Sequence, residues 1–259
     1  MKRVAFILAV FAALAVVVAS ADAAGIGSSQ APRIKIKAGT SSNWSGYAVQ
    51  TNLTNPQNGA VTYVTGSWTV PAVTCTGSAA YSSVWAGIDG YSDNTVEQLG
   101  TDQDCTSSGP RYYAWYEMYP KFPTNLNYVV KPGDVISAEV SYVGSNKFIL
   151  TMSDPAQGWK FSTTQRSRAQ RSSAEWIVEA PWSGGVLPLA DFGTANISHA
   201  TATLNNHTGP IDDNAWQYDR IVMDNPNGQT ATPSNLSGTR SGSNFSVTWS
   251  SSSGQPKKK

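Results

Sequence analysis

Residues 61–70 read VTYVTGSWTV, a stretch in which β-branched and aromatic side chains dominate. Such side chains fit the pleated, half-buried surface of a β-sheet. Pro71 follows the run and is typical of a connection between strands. The stretch therefore predicts a β-strand over residues 61–70.

The same pattern repeats from Trp44 to Trp249, in short runs separated by clusters of Gly, Asn, Asp, Pro and Ser. Helix signals are nearly absent. Runs of this number and spacing favour two packed antiparallel sheets over a parallel α/β arrangement. We therefore predict an all-β fold, an antiparallel β-sandwich of two packed sheets. The other predicted strands are 82–88, 112–119, 135–143, 147–152, 174–178, 198–204, 220–223 and 245–249.

Composition supports a folded chain and limits its partners. The 259 residues are 40% hydrophobic and 14% charged, with 9 Trp and 11 Tyr, which is too apolar for a disordered protein. Residues 41–256 contain 10 Lys/Arg and 16 Asp/Glu, a net charge of −6. That charge argues against a nucleic-acid surface.

The N-terminus has the features of an export signal. Basic residues at 2–3 are followed by an apolar run over 4–18 and by small residues that allow cleavage after Ala21 or Ala23. We assign residues 1–23 to a signal peptide and expect a secreted, extracellular protein; a signal anchor is the alternative. No later stretch is long and apolar enough to span a bilayer, so we expect no membrane contact after signal removal.

A change of composition at Trp44 predicts a domain boundary. Residues 24–42 are small, polar and basic, whereas aromatic residues become frequent from Trp44 onward. We divide the chain into a short basic leader at 24–42, a domain at 43–250 and a flexible tail at 251–259. The leader is either a flexible linker or a pro-segment over an acidic cleft, with its basic residues paired to carboxylates.

Export makes Cys75 and Cys105 candidates for one disulfide, because secreted proteins fold under oxidising conditions. Closing a loop of this length would stabilise the chain by about 3–4 kcal/mol. Two free thiols are the alternative.

The histidines and cysteines of the chain argue against most hydrolytic and metal-dependent mechanisms. The two histidines, His199 and His207, lie in a polar strand and in a turn-like sequence, which argues against a Ser-His-Asp triad. Neither cysteine lies in a nucleophile motif, and metal-binding spacings are missing. We therefore expect no metal and no cofactor. Carboxylate and carboxamide chemistry remains.

Six sequence blocks share a characteristic order along the chain. They are 43–47 (NWSGY), 66–71 (GSWTVP), 84–90 (VWAGIDG), 97–102 (EQLGTD), 113–120 (YAWYEMYP) and 174–179 (AEWIVE). In these blocks and their order, the chain resembles the glutamic peptidases, also called eqolisins, over roughly residues 43–250. The resemblance implies a concanavalin-like or lectin-like β-sandwich endopeptidase that acts in acid, with protein or peptide as its substrate.

The resemblance also implies the catalytic pair, which falls on Gln98 and Glu175. Glu175 would act as the general base toward water, and the amide of Gln98 would donate a hydrogen bond to the developing oxyanion. Other residues implied to line the cleft or to support the pair are Trp44, Trp85, Asp89, Asp102, Trp115, Glu117 and Tyr119. The tryptophans fit the core of the sandwich equally well, and Glu179 is expected to lie outside the site.

Some features depart from the fungal members of this family. Residues 103–111 (QDCTSSGPR) and the cysteine placement differ from the disulfide pattern associated with them, and the leader is shorter. Together with the signal sequence, these features favour a bacterial member, which we expect to be a monomer.

An alternative from another class is a secreted carbohydrate-binding β-sandwich, because exposed Trp and Tyr residues stack on sugars. A glycosidase version would use Glu117 and Glu175 as its two carboxylates.

Overall fold

The β-branched and aromatic runs form the strands of the protein, seen here in a computed structural model that describes residues 28–237 and 242–251. The predicted signal peptide and the tail beyond Ser251 lie outside the described residues. Each predicted run coincides with a strand, and several strands are longer than predicted. The described strands are β1 (Lys35–Lys37), β2 (Thr40–Ser41), β3 (Trp44–Gln50), β4 (Val61–Thr69), β5 (Ser83–Ile88), β6 (Val96–Thr106), β7 (Gly109–Tyr119), β8 (Thr124–Leu126), β9 (Val135–Tyr142), β10 (Lys147–Asp154), β11 (Trp159–Arg166), β12 (Ser173–Glu179), β13 (Thr194–Leu204), β14 (His207–Pro210), β15 (Gln217–Asp224), β16 (Gln229–Pro233) and β17 (Phe245–Ser251).

The strands form two layers. The first sheet has the antiparallel order β15-β3-β12-β5-β6-β7-β8. The second has the antiparallel order β11-β10-β9-β4-β13-β17-β16, with β14 beside β13. Strand β15 takes part in both, because its last residues pair with β16. Within the described residues, no helix is long and apolar enough to cross a membrane.

The main core lies between the two sheets. Trp176 of the first sheet donates from Nε1 to the carbonyl oxygen of Thr65 in the second, at 2.7 Å. Trp68 of the second sheet donates in return to Thr101 Oγ1 of the first, at 2.9 Å. Both indoles are buried and their polar atoms are paired across the layers, which is the arrangement expected of a sandwich core.

The predicted disulfide is confirmed: Cys75 and Cys105 are bonded, with Cα atoms 5.4 Å apart. The bond attaches the connection after β4 to the end of β6.

Part of the leader has regular structure that the sequence did not predict. Strands β1 and β2 form a hairpin, and β2 pairs in parallel with β15. Residues 29–33 precede this hairpin and are buried except for Pro32, which is partly exposed.

Candidate active site

The two faces of the first sheet differ in chemistry because successive side chains of a strand point to opposite sides. On β6, Leu99 faces the main core while Gln98 points away from it. On β12, Trp176 packs in the core while Glu175 points away. We call the side that points away from the second sheet the outer face.

The predicted catalytic pair lies in one row across the outer face. Glu175 is the direct partner of Gly87, and Gly87 is the direct partner of Gln98. Two strand spacings separate the Cα atoms of Glu175 and Gln98, or about 10 Å. A Cβ atom at Gly87 would come within 2.9 Å of the Gln98 Cβ. Glycine therefore allows the Gln98 and Trp85 side chains to pack closely against the middle strand of the row.

Glu117 is the next residue of the same row and orients the Gln98 amide. Gln98 Nε2 donates to Glu117 Oε2 at 2.9 Å. Burial raises the pKa of Glu117 to about 9, so this carboxyl holds a proton in acid. Since Oε2 accepts hydrogen bonds and Oε1 has no partner among the described residues, the proton belongs on Oε1. One N–H of the Gln98 amide remains for another acceptor.

Glu175 is fully buried, and its two carboxylate oxygens have no hydrogen-bond partner among the described residues. Burial raises its pKa well above the usual range, and the nearby charge of Asp89 adds to the effect. Burial of Glu175 therefore favours its neutral form.

Asp89 lies at the end of β5 and secures the segment that leads into β12. Its carboxylate accepts hydrogen bonds from the backbone N–H groups of Arg171 at 2.6 Å and Ser172 at 2.7 Å. Burial raises the pKa of Asp89 to about 7, against the opposing effect of these two bonds. Its position indicates a supporting role, because the segment it holds precedes Glu175 by only a few residues.

The three predicted tryptophans lie on the outer face rather than in the main core. Trp44 and Trp85 pack edge to face with ring centroids 4.9 Å apart. Trp115 joins them in a small apolar cluster, and Tyr119 packs against its edge. A Cβ atom at Gly100 would approach Trp85 Cβ at 2.6 Å and the Trp115 ring at 2.7 Å, so glycine makes room for both. Each of the three indoles is at most 1% exposed.

Asp102 lies on the same face and accepts hydrogen bonds from Trp115 Nε1 at 2.6 Å and the Tyr113 hydroxyl at 2.7 Å. The Tyr113 hydroxyl also lies 3.0 Å from Asp104. Burial raises the pKa of Asp102 well above its usual range and that of Asp104 to about 7. The carboxyl groups of Asp102 and Asp104 therefore lie side by side next to the tryptophan cluster.

Glu179 also belongs to this face, so our expectation that it lies outside the site is wrong. It is fully buried and accepts hydrogen bonds from Trp85 Nε1 at 2.9 Å and Asn43 Nδ2 at 3.3 Å. Burial raises its pKa well above the usual range. The two-residue period of a strand was the available signal, because residues 175 and 179 must share a face.

Residues 29–33 of the leader cover the outer face as an extended segment. Ser29 and Trp182 exchange backbone hydrogen bonds at 3.0 and 2.9 Å, as in an antiparallel pair. The Ala31 N–H donates to Glu179 Oε1 at 2.8 Å. The Gln30 N–H donates at 3.1 Å to Glu117 Oε2, the oxygen that also binds Gln98.

The basic residues of the leader do not pair with the site carboxylates, which corrects the expectation above. Arg33 lies 3.3 Å from Asp219 and over the ring of Tyr91. Lys35 and Lys37 are exposed on β1, and neither makes an ion pair within residues 28–237 and 242–251. Contact with the site is made by backbone N–H groups instead.

The structure thus brings the predicted site residues together. Eight lie on the outer face and Asp89 lies at its rim. The eight are Trp44, Trp85, Gln98, Asp102, Trp115, Glu117, Tyr119 and Glu175. The disulfide lies at the far end of β6, away from the Glu175–Gln98 row.

Comparison with known proteins agrees with this arrangement. Residues 42–249 match the sequence pattern of the Peptidase A4 family. The chain belongs to that family. It is therefore a glutamic endopeptidase, a hydrolase of peptide bonds, and the comparisons favour this prediction over the carbohydrate-binding alternative.

Two fungal peptidases are similar to this chain in sequence. Aspergillopepsin-2 of Aspergillus niger is 29% identical over 226 residues, covering 76% of this chain and 75% of the relative. Scytalidopepsin B of Scytalidium lignicola is 28% identical over 176 residues, covering 63% and 65% of the two chains.

A solved structure confirms the predicted fold. Scytalido-glutamic peptidase with a transition state analog inhibitor superposes with a TM-score of 0.62 at 22% identity, covering 81% of this chain and 98% of the other. The β-sandwich predicted from the strand pattern is thus the fold of this peptidase family.

Proposed function

We propose that this peptidase is exported and cleaves proteins in acid, with Glu175 as the general base and Gln98 as the oxyanion donor. The observation that carries the proposal is the row Glu175–Gly87–Gln98, in which a glycine on the middle strand separates a carboxyl group from a carboxamide on the same face. The partner of Gln98, Glu117, holds the carboxamide in one orientation.

In the proposed reaction, the Glu175 carboxylate takes a proton from water as the water oxygen bonds to the scissile carbonyl carbon. The free N–H of Gln98 donates to the carbonyl oxygen as it becomes an oxyanion. The proton then passes from Glu175 to the peptide nitrogen, and the carbon–nitrogen bond breaks. A carboxamide suits this role in acid because it does not titrate.

The reaction needs Glu175 ionised, whereas its burial favours the neutral form. Removal of the leader would return water to the outer face and lower the pKa of Glu175 toward its ordinary value. Glu117, by contrast, keeps its proton in acid and continues to accept from Gln98.

This requirement supports the proposal that residues 24–42 are a pro-segment. The N–H groups of Gln30 and Ala31 engage Glu117 and Glu179, so the leader covers the row in which the pair lies. A substrate cannot reach that row while these residues occupy it.

Secretion is proposed from the signal-like residues 1–23, and it is supported by the disulfide, which suits an oxidising compartment. We also propose a bacterial source, a monomeric enzyme and no membrane contact after signal removal, on the composition of the chain described above.

Digestion of a denatured protein tests the proposal directly. The full chain is incubated at pH 3 and assayed between pH 2 and 8, with and without an inhibitor of pepsin-type peptidases. We expect cleavage with a maximum well below pH 7 that resists the inhibitor. A maximum at pH 7–8 would contradict the acid mechanism.

A further inference from the structure

The side chain of Gln30 is buried against the outer face, although it belongs to the leader. It is 2% exposed. Its Oε1 accepts a hydrogen bond from Ser83 Oγ at 2.9 Å, and its Nε2 donates to Asp102 Oδ1 at 3.4 Å. The donor and the acceptor of this carboxamide are therefore both matched.

The two partners of this carboxamide are built into the sheet. Ser83 and Asp102 are direct partners across β5 and β6, and both are buried. Asp102 is held from its other side by Trp115 Nε1 and the Tyr113 hydroxyl. A pocket fixed on two strands in this way is positioned before any ligand arrives.

The main chain around Gln30 is bound as an extended peptide is bound. Its N–H donates to Glu117, while the residues on either side, Ser29 and Ala31, bond to Trp182 and Glu179. Backbone hydrogen bonds of this kind can form with a peptide of any sequence, so selectivity comes from the pockets that receive its side chains. Because Glu117 also binds Gln98, a residue in the place of Gln30 lies beside the catalytic row.

We propose that Ser83 and Asp102 form a substrate pocket for a carboxamide side chain, so that the enzyme prefers proteins with glutamine or asparagine next to the scissile bond. The inference rests on the proposed peptidase function and specifies its substrate class. Gln30 of the leader is the internal occupant of this pocket.

The chemistry of the pocket favours a carboxamide over the alternatives. An apolar side chain would leave the buried Ser83 hydroxyl without the acceptor that Gln30 provides and would remove one of the hydrogen bonds to Asp102, which is costly. A lysine side chain would need Asp102 ionised, whereas burial raises the pKa of this group and keeps it neutral in acid. Only a neutral group that both donates and accepts satisfies the two partners.

A matched set of peptides tests the pocket. The full chain is activated at acid pH, and kcat/KM is measured for peptides that carry Gln, Met or Lys in turn at each position around the cleaved bond. Methionine has about the length of glutamine and lacks its polar atoms. We expect about 10- to 100-fold higher kcat/KM for Gln than for Met at one position adjacent to the cleaved bond.

The Ser83→Ala variant assigns the preference to this pocket. It should lower the ratio of the Gln to the Met kcat/KM several-fold, because the hydroxyl that binds the carboxamide oxygen is lost. A ratio that stays at its original value would overturn the assignment.

A second variant tests the pocket from the leader side and keeps the test informative if Ser83→Ala does not fold. In the otherwise unchanged chain, Gln30→Met should speed acid activation several-fold, because the leader loses both side-chain hydrogen bonds. Gln57→Met is the matched control, since Gln57 is exposed and away from the site. Equal activation of both variants and the unchanged chain would count against the pocket.

The outcomes separate the two proposals. An enzyme that cleaves in acid but treats Gln and Met alike at every position retains its proposed function and loses the pocket. A chain that cleaves no peptide in acid loses the proposed function, and the pocket as a substrate site is overturned with it.

Discussion

The two faces of the first sheet are both buried, but the inner face is covered by the second sheet and the outer face is partly covered by residues 29–33. The inner face presents side chains such as Leu99 and Trp176 to the second sheet. On the outer face, a single extended segment, residues 29–33, donates hydrogen bonds to Glu117 and Glu179. One surface is covered by a whole layer of the fold and the other by part of a leader.

The difference separates stability from activity. Apolar burial between sheets does not depend on pH, and it lasts as long as the fold lasts. Burial of carboxyl groups favours their neutral forms, so the charge state of the outer face depends on pH. Changes to the inner face should therefore alter folding, and changes to the outer face should alter catalysis.

The largest effect is expected at Glu175. Glu175→Gln keeps nearly the same volume but removes the base, so kcat should fall about 10²–10⁴-fold while the circular dichroism spectrum stays unchanged. Glu139→Gln is the matched control, because Glu139 lies on β9 of the second sheet. A Glu175→Gln enzyme with a tenth or more of the original rate would show that the base is another residue.

Loss of the proposed oxyanion donor comes next. Gln98→Ala should lower kcat about 10²–10³-fold, also without loss of the fold. Residues that act on one transition state are not additive, so the double variant should be little slower than Glu175→Gln alone. Independent, multiplied losses would argue that the two residues act in different steps.

A substitution on the inner face should lower the stability of the fold, in contrast to the substitutions above, which lower activity. Trp176→Ala removes a buried indole and its bond to Thr65, and we expect the free energy of unfolding to fall by about 3–5 kcal/mol. Trp182→Ala is the matched control, because this indole is 41% exposed; its effect should stay within about 0.5 kcal/mol. Urea unfolding at one acid pH measures both.

The outer face should make stability depend on pH. Folding raises the pKa of Asp89 and Asp104 to about 7 and that of Glu117 to about 9, so the folded chain binds more protons than the unfolded chain. Their contribution is therefore fully present below about pH 4 and is lost as pH rises toward those values, by about 1.4 kcal/mol per pH unit for each proton.

Urea unfolding of the full chain at pH 4, 6 and 8 measures this loss, and Asp104→Asn should reduce the slope. Stability that increases from pH 4 to pH 8 would contradict the buried, neutral state of these groups.

The smallest effect concerns the basic residues of the leader. Arg33→Ala should speed acid activation several-fold, because the ion pair with Asp219 and the contact with Tyr91 are lost. Lys35→Ala and Lys37→Ala should not change it, since both side chains are exposed. Time courses of leader loss on a gel distinguish the three variants, and equal acceleration by all three would favour a general charge effect.

Much of the fold could be predicted because strand signals are local. The run at 61–70 became β4 and the run at 112–119 became most of β7, since β-branched and aromatic residues favour strands wherever they pack. The ends of strands such as β13 were missed, because polar residues at strand ends are held by their neighbours in the sheet rather than by their own preference.

The sequence blocks contain the residues that share the outer face, whereas the contacts between these residues could not be predicted from the sequence. Gln98 and Glu175 lie 77 positions apart, and their shared row depends on β5 lying between β6 and β12. The prediction that Glu179 lies outside the site was wrong because the order of the sequence blocks does not show which of their residues face the cleft. The burial of Gln30 had no local signal, since a small polar segment is read as a linker.

The sequence by itself determined the positions of most strands, the class of fold and the family, because each depends on residue type and order, and it made Cys75 and Cys105 candidates for a disulfide that the structure confirmed. Only the tertiary structure decided which carboxyls are buried, which partner orients Gln98 and what covers the outer face. Those properties depend on strand order and on the path of the leader, which bring distant residues into contact through long-range hydrogen bonds that local patterns do not specify.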